Sequence, residues 1–133
     1  MALVVMNQGE GSMLRNIINA SAPADPVLRL FGNNLTPSAL TSGGNFTEVV
    51  AAGYAPITLT GSSWTIVESG PSHASFATAT FTFQAATSVY GYLVTSSVAT
   101  GVKWAERFTS APFDITTSGS TISIAPQLTL RSA

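Results

Sequence analysis

Cysteine is absent from this chain, and charge is nearly so. Without a thiol there is no disulfide framework and no thiolate metal site, so a cysteine-stapled secreted scaffold is excluded. Asp, Glu, Lys and Arg make up 8% of the 133 residues, against about 25% in an ordinary soluble domain. The net charge of −1 gives a weak long-range field. No basic stripe exists to neutralise phosphates, so nucleic acid is not expected as a partner. The single histidine, His73, follows Gly70-Pro71-Ser72 in a turn. With one imidazole and six scattered carboxylates, neither an activated nucleophile nor a metal site is expected, and no cofactor is implied. Apolar runs fall short of the ~18 residues that suggest a membrane span. Residues 1–6 lack the basic flank of a secretory signal, so cytoplasmic synthesis without a membrane partner is the expectation.

Ser and Thr fill the space that charge leaves, at 17 residues each. A Thr-rich surface suits a pleated sheet, which accommodates β-branched side chains. It suits a free monomer poorly, because near-zero net charge favours association. The surface therefore reads as one that other protein subunits cover, with an ordinary Thr-rich β domain as the alternative.

The organising stretch is Val89-Tyr90-Gly91-Tyr92-Leu93-Val94 followed by Val102 to Phe108. Two period-2 runs separated by a Ser/Thr/Gly loop predict neighbouring strands near the middle of a sheet. Ahead of them, residues 1–22 read as an N-terminal arm plus a short amphipathic helix. Ser12 is the expected N-cap, Met13, Leu14, Ile17 and Ile18 form the apolar face, and the end falls near Asn19. Residues 23–133 read as a single β-sandwich domain. Expected strands include Val27–Phe31, Phe46–Val50, Pro56–Thr60 and Ser63–Val67 split by a Gly61-Ser62 hairpin turn, and an alternating Phe76–Phe83. A closing strand carries Ile122, Ile124, Leu128 and Leu130. Pro126 inside that strand demands an edge, a bulge or a bend between sheets, since proline has no N–H for the ladder. Eight or nine short strands with Gly/Ser/Pro turns specify an all-β, antiparallel sandwich, with a jelly roll as the expected topology.

Few residues carry chemistry. Glu106 lies between Trp104 and Phe108 on one strand face, so a partner is required if that face is inward. Arg29, Arg107 or a tyrosine hydroxyl is the expected partner, and Glu106 and Arg29 are the candidate structural buried polar pair. Glu48 and Glu106 could serve glycoside hydrolysis only if both lined one cleft about 5 to 10 Å across. Separate pairing of each is the favoured reading, and the chain is not expected to be an enzyme. Tyr54 and Trp64 are the aromatics expected at the surface, and they are the candidates for glycan contact.

The string Leu28-Arg29-Leu30-Phe31-Gly32-Asn33-Asn34-Leu35-Thr36-Pro37, with Phe46-Thr47-Glu48 and Gly53-Tyr54, resembles a group of small virion proteins of tailed bacteriophages. The likeness continues in Val89-Tyr90-Gly91-Tyr92, Trp104-Ala105-Glu106-Arg107-Phe108 and Pro126-Gln127-Leu128-Thr129-Leu130-Arg131-Ser132. Ala2-Leu3-Val4-Val5 and Met13-Leu14 also look like that group. The resemblance implies a structural component of the phage particle, whether a tail, capsid or fibre protein; together with the weakly charged surface, the expectation is a capsid decoration (cement) protein on the capsid exterior. Such a protein would contact the major capsid protein and copies of itself, as a trimer or dimer, and carries no family catalytic site. A tail or fibre module that binds a host glycan is the alternative. For the first reading, Leu3, Val4, Val5, Met13, Leu14 and Ile17 are the candidate inter-subunit contacts. The arm would add a strand to a neighbour's sheet edge.

Overall fold

A computed structural model describes residues 3–18, 20, 23–68 and 71–129. Asn19, Gly70 and Leu130, on which expectations fell, lie outside the described residues, as does Arg131. The elements in order are β1 (Val4–Val5), α1 (Asn7–Ile17), β2 (Val27–Phe31), β3 (Ile57–Thr58), β4 (Trp64–Val67), β5 (His73–Phe76) and β6 (Ala79–Thr82). They continue as β7 (Thr87–Val89), β8 (Gly91–Thr95), β9 (Val102–Arg107), β10 (Phe113–Ile115), β11 (Thr121–Ile124) and β12 (Gln127–Thr129). Every strand pairing is antiparallel, so the chain is all-β with one helix.

The predicted hairpin is the centre of a five-stranded sheet ordered β1-β9-β8-β2-β3. β8 is buried from Gly91 to Thr95, because this sheet is covered on both faces. On its inner face Leu28, Leu30, Tyr92, Val94 and Trp104 meet Phe81, Phe83, Ile122 and Ile124. On its outer face Met6, Phe31, Leu93, Val102 and Ala105 form a second cluster, covered by Leu35, Phe46 and Tyr90. Alternation along β2 and β8 thus sorts residues between two apolar layers rather than between core and water. Gly91 is required where they meet, since a Cβ there would stand 2.6 Å from the Phe31 ring.

The opposing layer is a ribbon that turns a corner. β6 pairs with β11, placing Ala79, Phe81, Ile122 and Ile124 inward and Thr80, Thr82, Thr121 and Ser123 outward. β5 pairs with β12 and β4 in a separate three-stranded sheet. Both strands of the ribbon cross between sheets together, at residues 77–78 and 125–126. Pro126 sits at that crossing, donates nothing, and accepts the Phe76 N–H at 2.9 Å. The bend between sheets is therefore the role this proline takes. The single alternating strand expected over Phe76–Phe83 is instead two strands, and Ala77 is exposed.

Four further expectations are corrected. The helix begins at Asn7, not after Ser12, because Gly9 is a contact and not a breaker. A Cβ on Gly9 would stand 2.1 Å from the Lys103 carbonyl oxygen, so only glycine lets α1 lie directly on β9. The helix is also rolled: Gly9, Ser12 and Met13 face inward while Leu14, Ile17 and Ile18 are exposed. Gly61-Ser62 is not a hairpin turn. A 3-10 turn over Gly61–Ser63, held by the Asp25 carboxylate accepting the Gly61 N–H at 2.9 Å, passes the chain from β3 to β4 in another sheet. Phe46–Val50 forms only an isolated bridge from Glu48 to Phe31, with Gly32 N–H bonded to Thr47 and Val49 N–H to Leu30.

Candidate functional site

The outer face of β2 carries a charge in an otherwise apolar strand, and a polar cluster forms around it. Arg29 projects beside Leu93, its register partner on β8. Its Nη1 donates to both Glu48 oxygens, at 3.1 and 3.0 Å, and its Nε donates to Thr95 Oγ1 at 3.1 Å. Thr95 is fully buried and passes its own proton to the Ser96 carbonyl at 2.7 Å. Tyr54 completes the cluster by donating to Glu48 Oε1 at 2.8 Å while its hydroxyl accepts the Leu30 N–H at 3.1 Å. That last bond caps β2 where β3 stops pairing with it. Burial raises the Tyr54 phenol well above the ordinary tyrosine value. The Leu30 N–H opposes that rise, and the neighbouring Glu48 carboxylate reinforces it.

Above this cluster is a half-open cavity of about 150 Å³, lined by Arg29, Glu48, Leu93, Phe46, the Gly43-Gly44 turn and the Ala99-Thr100 loop. Ser42 and Asn45 close that turn as a capping box. Gly43 packs so tightly on the Thr100 backbone that a Cβ would stand 2.0 Å from its carbonyl oxygen.

A second polar pair lies on the inner face. Tyr92 and Glu106 are register partners on β8 and β9, and the Tyr92 hydroxyl donates to Glu106 Oε2 at 2.9 Å. The partner of Glu106 is thus a tyrosine, and Arg29 is paired with Glu48 instead. Burial, then the adjacent carboxylate, raise the Tyr92 phenol far above its ordinary range. Near this pair, Trp104 Nε1 is buried without a hydrogen-bond partner. Arg107 lies on the other face, donating to the Leu35 carbonyl at 3.1 Å with its guanidinium 5.2 Å from the Tyr90 ring centre.

Glu48 and Glu106 therefore occupy opposite faces of one sheet and share no cleft. The expected surface positions of Tyr54 and Trp64 are also corrected. The Tyr54 ring stacks on Phe81 and Phe83 at 5.6 and 6.3 Å. Trp64 packs edge-on against Phe76 at 5.2 Å, and both residues are half-buried. Of the candidate contact residues, Leu3, Val5 and Met13 pack against the core and Val4 is half-buried on β1. Leu14 and Ile17 are exposed. Among the described residues no cluster of His, Cys, Asp or Glu could hold a metal ion, and no helix is long and apolar enough to cross a membrane.

Sequence reasoning missed Thr95, Phe46 and the Gly43-Gly44 turn. The available signal was Arg29 itself, since a guanidinium flanked by Leu28, Leu30 and Phe31 must find an anion. Glu48 and Tyr54 are polar groups of the next β-like segment. No protein-family model matches the chain, and no curated protein matches it.

Proposed function

We propose that this chain is a non-enzymatic structural protein of a tailed-phage virion, a capsid decoration protein that bridges major capsid subunits. The observation that carries this reading is the outward stripe of Leu14 and Ile17 on α1 and Ile18 at its C-cap, exposed at 61%, 79% and 72%. Three large aliphatic side chains at i, i+3 and i+4 form a continuous apolar ridge, and such ridges mark interaction surfaces. Charge does little to oppose association. Arg29 and Glu48 are paired with each other, Glu106 is held by Tyr92, and Arg107 is bound to a carbonyl. Many repeated contacts of modest strength give high occupancy on a lattice through multivalency.

The arm enters this reading in altered form. β1 already pairs with β9 of its own chain, Val4 with Ala105 and Val5 with Trp104. Strand addition to a neighbour would therefore use the outer edge of β1, which pairs with no other strand among the described residues, and not a loose arm. The glycan-binding tail alternative is less favoured at Tyr54 and Trp64, since both rings are half-buried against other aromatics.

Copy number and variant occupancy test the proposal together. Quantitative mass spectrometry of purified particles is expected to find hundreds of copies per virion. Leu14→Glu/Ile17→Glu should fold normally, because substitutions at exposed positions change stability by about 0.5 kcal/mol or less, yet fail to occupy particles. A handful of copies per virion, or full occupancy by the double variant, rejects it.

A further inference from the structure

The cavity over Arg29 and Glu48 has no part in the proposed lattice contact, and the inference drawn from it stands independently of that role. We propose that it binds one neutral sugar unit through a pair of adjacent hydroxyls.

The argument begins with what the polar cluster leaves unused. Arg29 has donors on three nitrogens; Nε and Nη1 are occupied. Nη2 has no partner among the described residues. Among the described residues the buried side-chain atom without a partner is Trp104 Nε1, so Nη2 is not sealed inside, and Arg29 is one of the residues that line the cavity. Glu48 Oε2 takes a single bond, from Arg29, and keeps acceptor capacity. A charged donor and a charged acceptor thus stand side by side at the floor of one recess. Together they match a hydroxyl pair in which one oxygen accepts from the guanidinium and the other donates to the carboxylate.

Charge balance selects the ligand class. The guanidinium is already neutralised by Glu48, so an incoming carboxylate or phosphate would displace or repel that group. A neutral diol meets both atoms without adding charge. Apart from Thr100 and the glycine backbone the rest of the lining is apolar: Phe46, packed edge-on against Phe31 at 5.1 Å, leaves part of its ring uncovered, and Ala99 offers a methyl. An aromatic ring beside a planar charged pair suits a pyranose, with its C–H face on one side and hydroxyls at its rim. The space is large enough for several waters and thus for one ring.

The groups are also held in place before any ligand arrives. Thr95 fixes the Arg29 Nε, Tyr54 fixes Glu48 Oε1, and Gly43 is wedged against Thr100. Preorganised polar groups keep the entropic cost of binding low. A single small subsite of this kind binds with a Kd of about 1 mM.

The test uses the full chain, labelled with 15N, titrated with the methyl glycosides of glucose, galactose, mannose and N-acetylglucosamine, and separately with sodium acetate. At least one glycoside is expected to shift the Gly43, Gly44 and Thr100 amides and the Arg29 side-chain N–H resonances saturably. Acetate is expected to leave them in place. Ala99→Phe fills the recess from an exposed position, so the fold survives and glycoside shifts should vanish. Arg29→Lys retains charge but removes Nη2, and should weaken binding at least tenfold. Three outcomes overturn the proposal: no saturable shift with any glycoside, shifts undiminished in Ala99→Phe, or equal saturation by acetate, which makes the recess an anion site.

Discussion

Removing the Glu48 carboxylate should cost far more than its position on an irregular segment suggests. The Arg29 and Glu48 side chains are 13% and 29% exposed, so water only partly replaces what each loses. In Glu48→Ala the guanidinium keeps its bond to Thr95 but loses both carboxylate contacts, and Tyr54 loses its acceptor. Breaking a buried pair from one side costs about 3 to 5 kcal/mol, because a charge is left without a counterion. Partial exposure places Glu48→Ala at the lower end, about 3 kcal/mol. At about 4 °C per kcal/mol for a chain of this size, the melting temperature should fall by roughly 12 °C. The decisive comparison is Arg29→Met/Glu48→Leu. Replacing both partners by apolar groups of similar volume is often neutral or stabilising, so the double variant should recover most of the loss. Urea unfolding followed by the fluorescence of Trp64 and Trp104 supplies both numbers, with the slope checked for constancy. A Glu48→Ala loss under about 1 kcal/mol, or a double variant as unstable as the single, refutes the claim that the pair is held as a desolvated unit.

Two glycines of α1 should respond in opposite directions: Gly9→Ala drives a methyl into the Lys103 carbonyl and should destabilise by about 1 to 3 kcal/mol. Gly11→Ala meets nothing closer than the tip of Arg15, 3.8 Å away, and should stabilise by up to about 1 kcal/mol through helix propensity; equal effects in chemical denaturation would disprove the close approach. Stability should decline above pH 10, because Tyr54 and Tyr92 have folded-state values raised above the unfolded value of 10.0. Over that window the folded chain holds more protons than the unfolded one, so the slope is negative, and it should flatten in Tyr54→Phe/Tyr92→Phe when urea midpoints are measured from pH 8 upward. Lys103 has the opposite sign: burial lowers its amine below 10.5, so stability gains with pH between the folded and unfolded values. Lys103→Met should remove that gain in the same titration and be no less stable than the parent at pH 7, despite losing the 2.8 Å bond from Nζ to Ser12.

What could be read from the residues was whatever local pattern controls. The β8–β9 hairpin follows from alternation plus a Ser/Thr/Gly loop, and Pro126 announces a break in the closing strand by lacking an N–H. The inward set Phe81, Phe83, Ile122 and Ile124 follows from period two. What escaped was set by contacts distant in sequence. Gly9 looks like a helix breaker until Lys103 is seen against it, and Gly61-Ser62 looks like a hairpin turn until β3 and β4 are found in different sheets. The rolled face of α1 is the same kind of error, since a helix with apolar residues on two sides does not declare which side packs. At the candidate site Arg29 required an anion, but nothing local chose Glu48 over Glu106. That choice was made by face: β8 and β9 turn Glu106 toward Tyr92 on the inner side, and the Glu48–Phe31 bridge lays its carboxylate on the outer.

The sheet order β1-β9-β8-β2-β3 also bears on how the polypeptide is made. Val4 waits for Ala105 and Leu28 for Val94, so β1 and the β8-facing edge of β2 leave the ribosome long before their partners have been synthesised. Until the β8–β9 hairpin emerges, the nascent N-terminal half offers Leu28, Leu30 and Phe31 to solvent with only the two-residue β3 to pair with. Pairings so remote in sequence slow folding and prolong exposure to aggregation. Truncations ending before residue 108 should therefore stay bound to chaperones, and release should require β11, whose Ile122 and Ile124 cover the inner face.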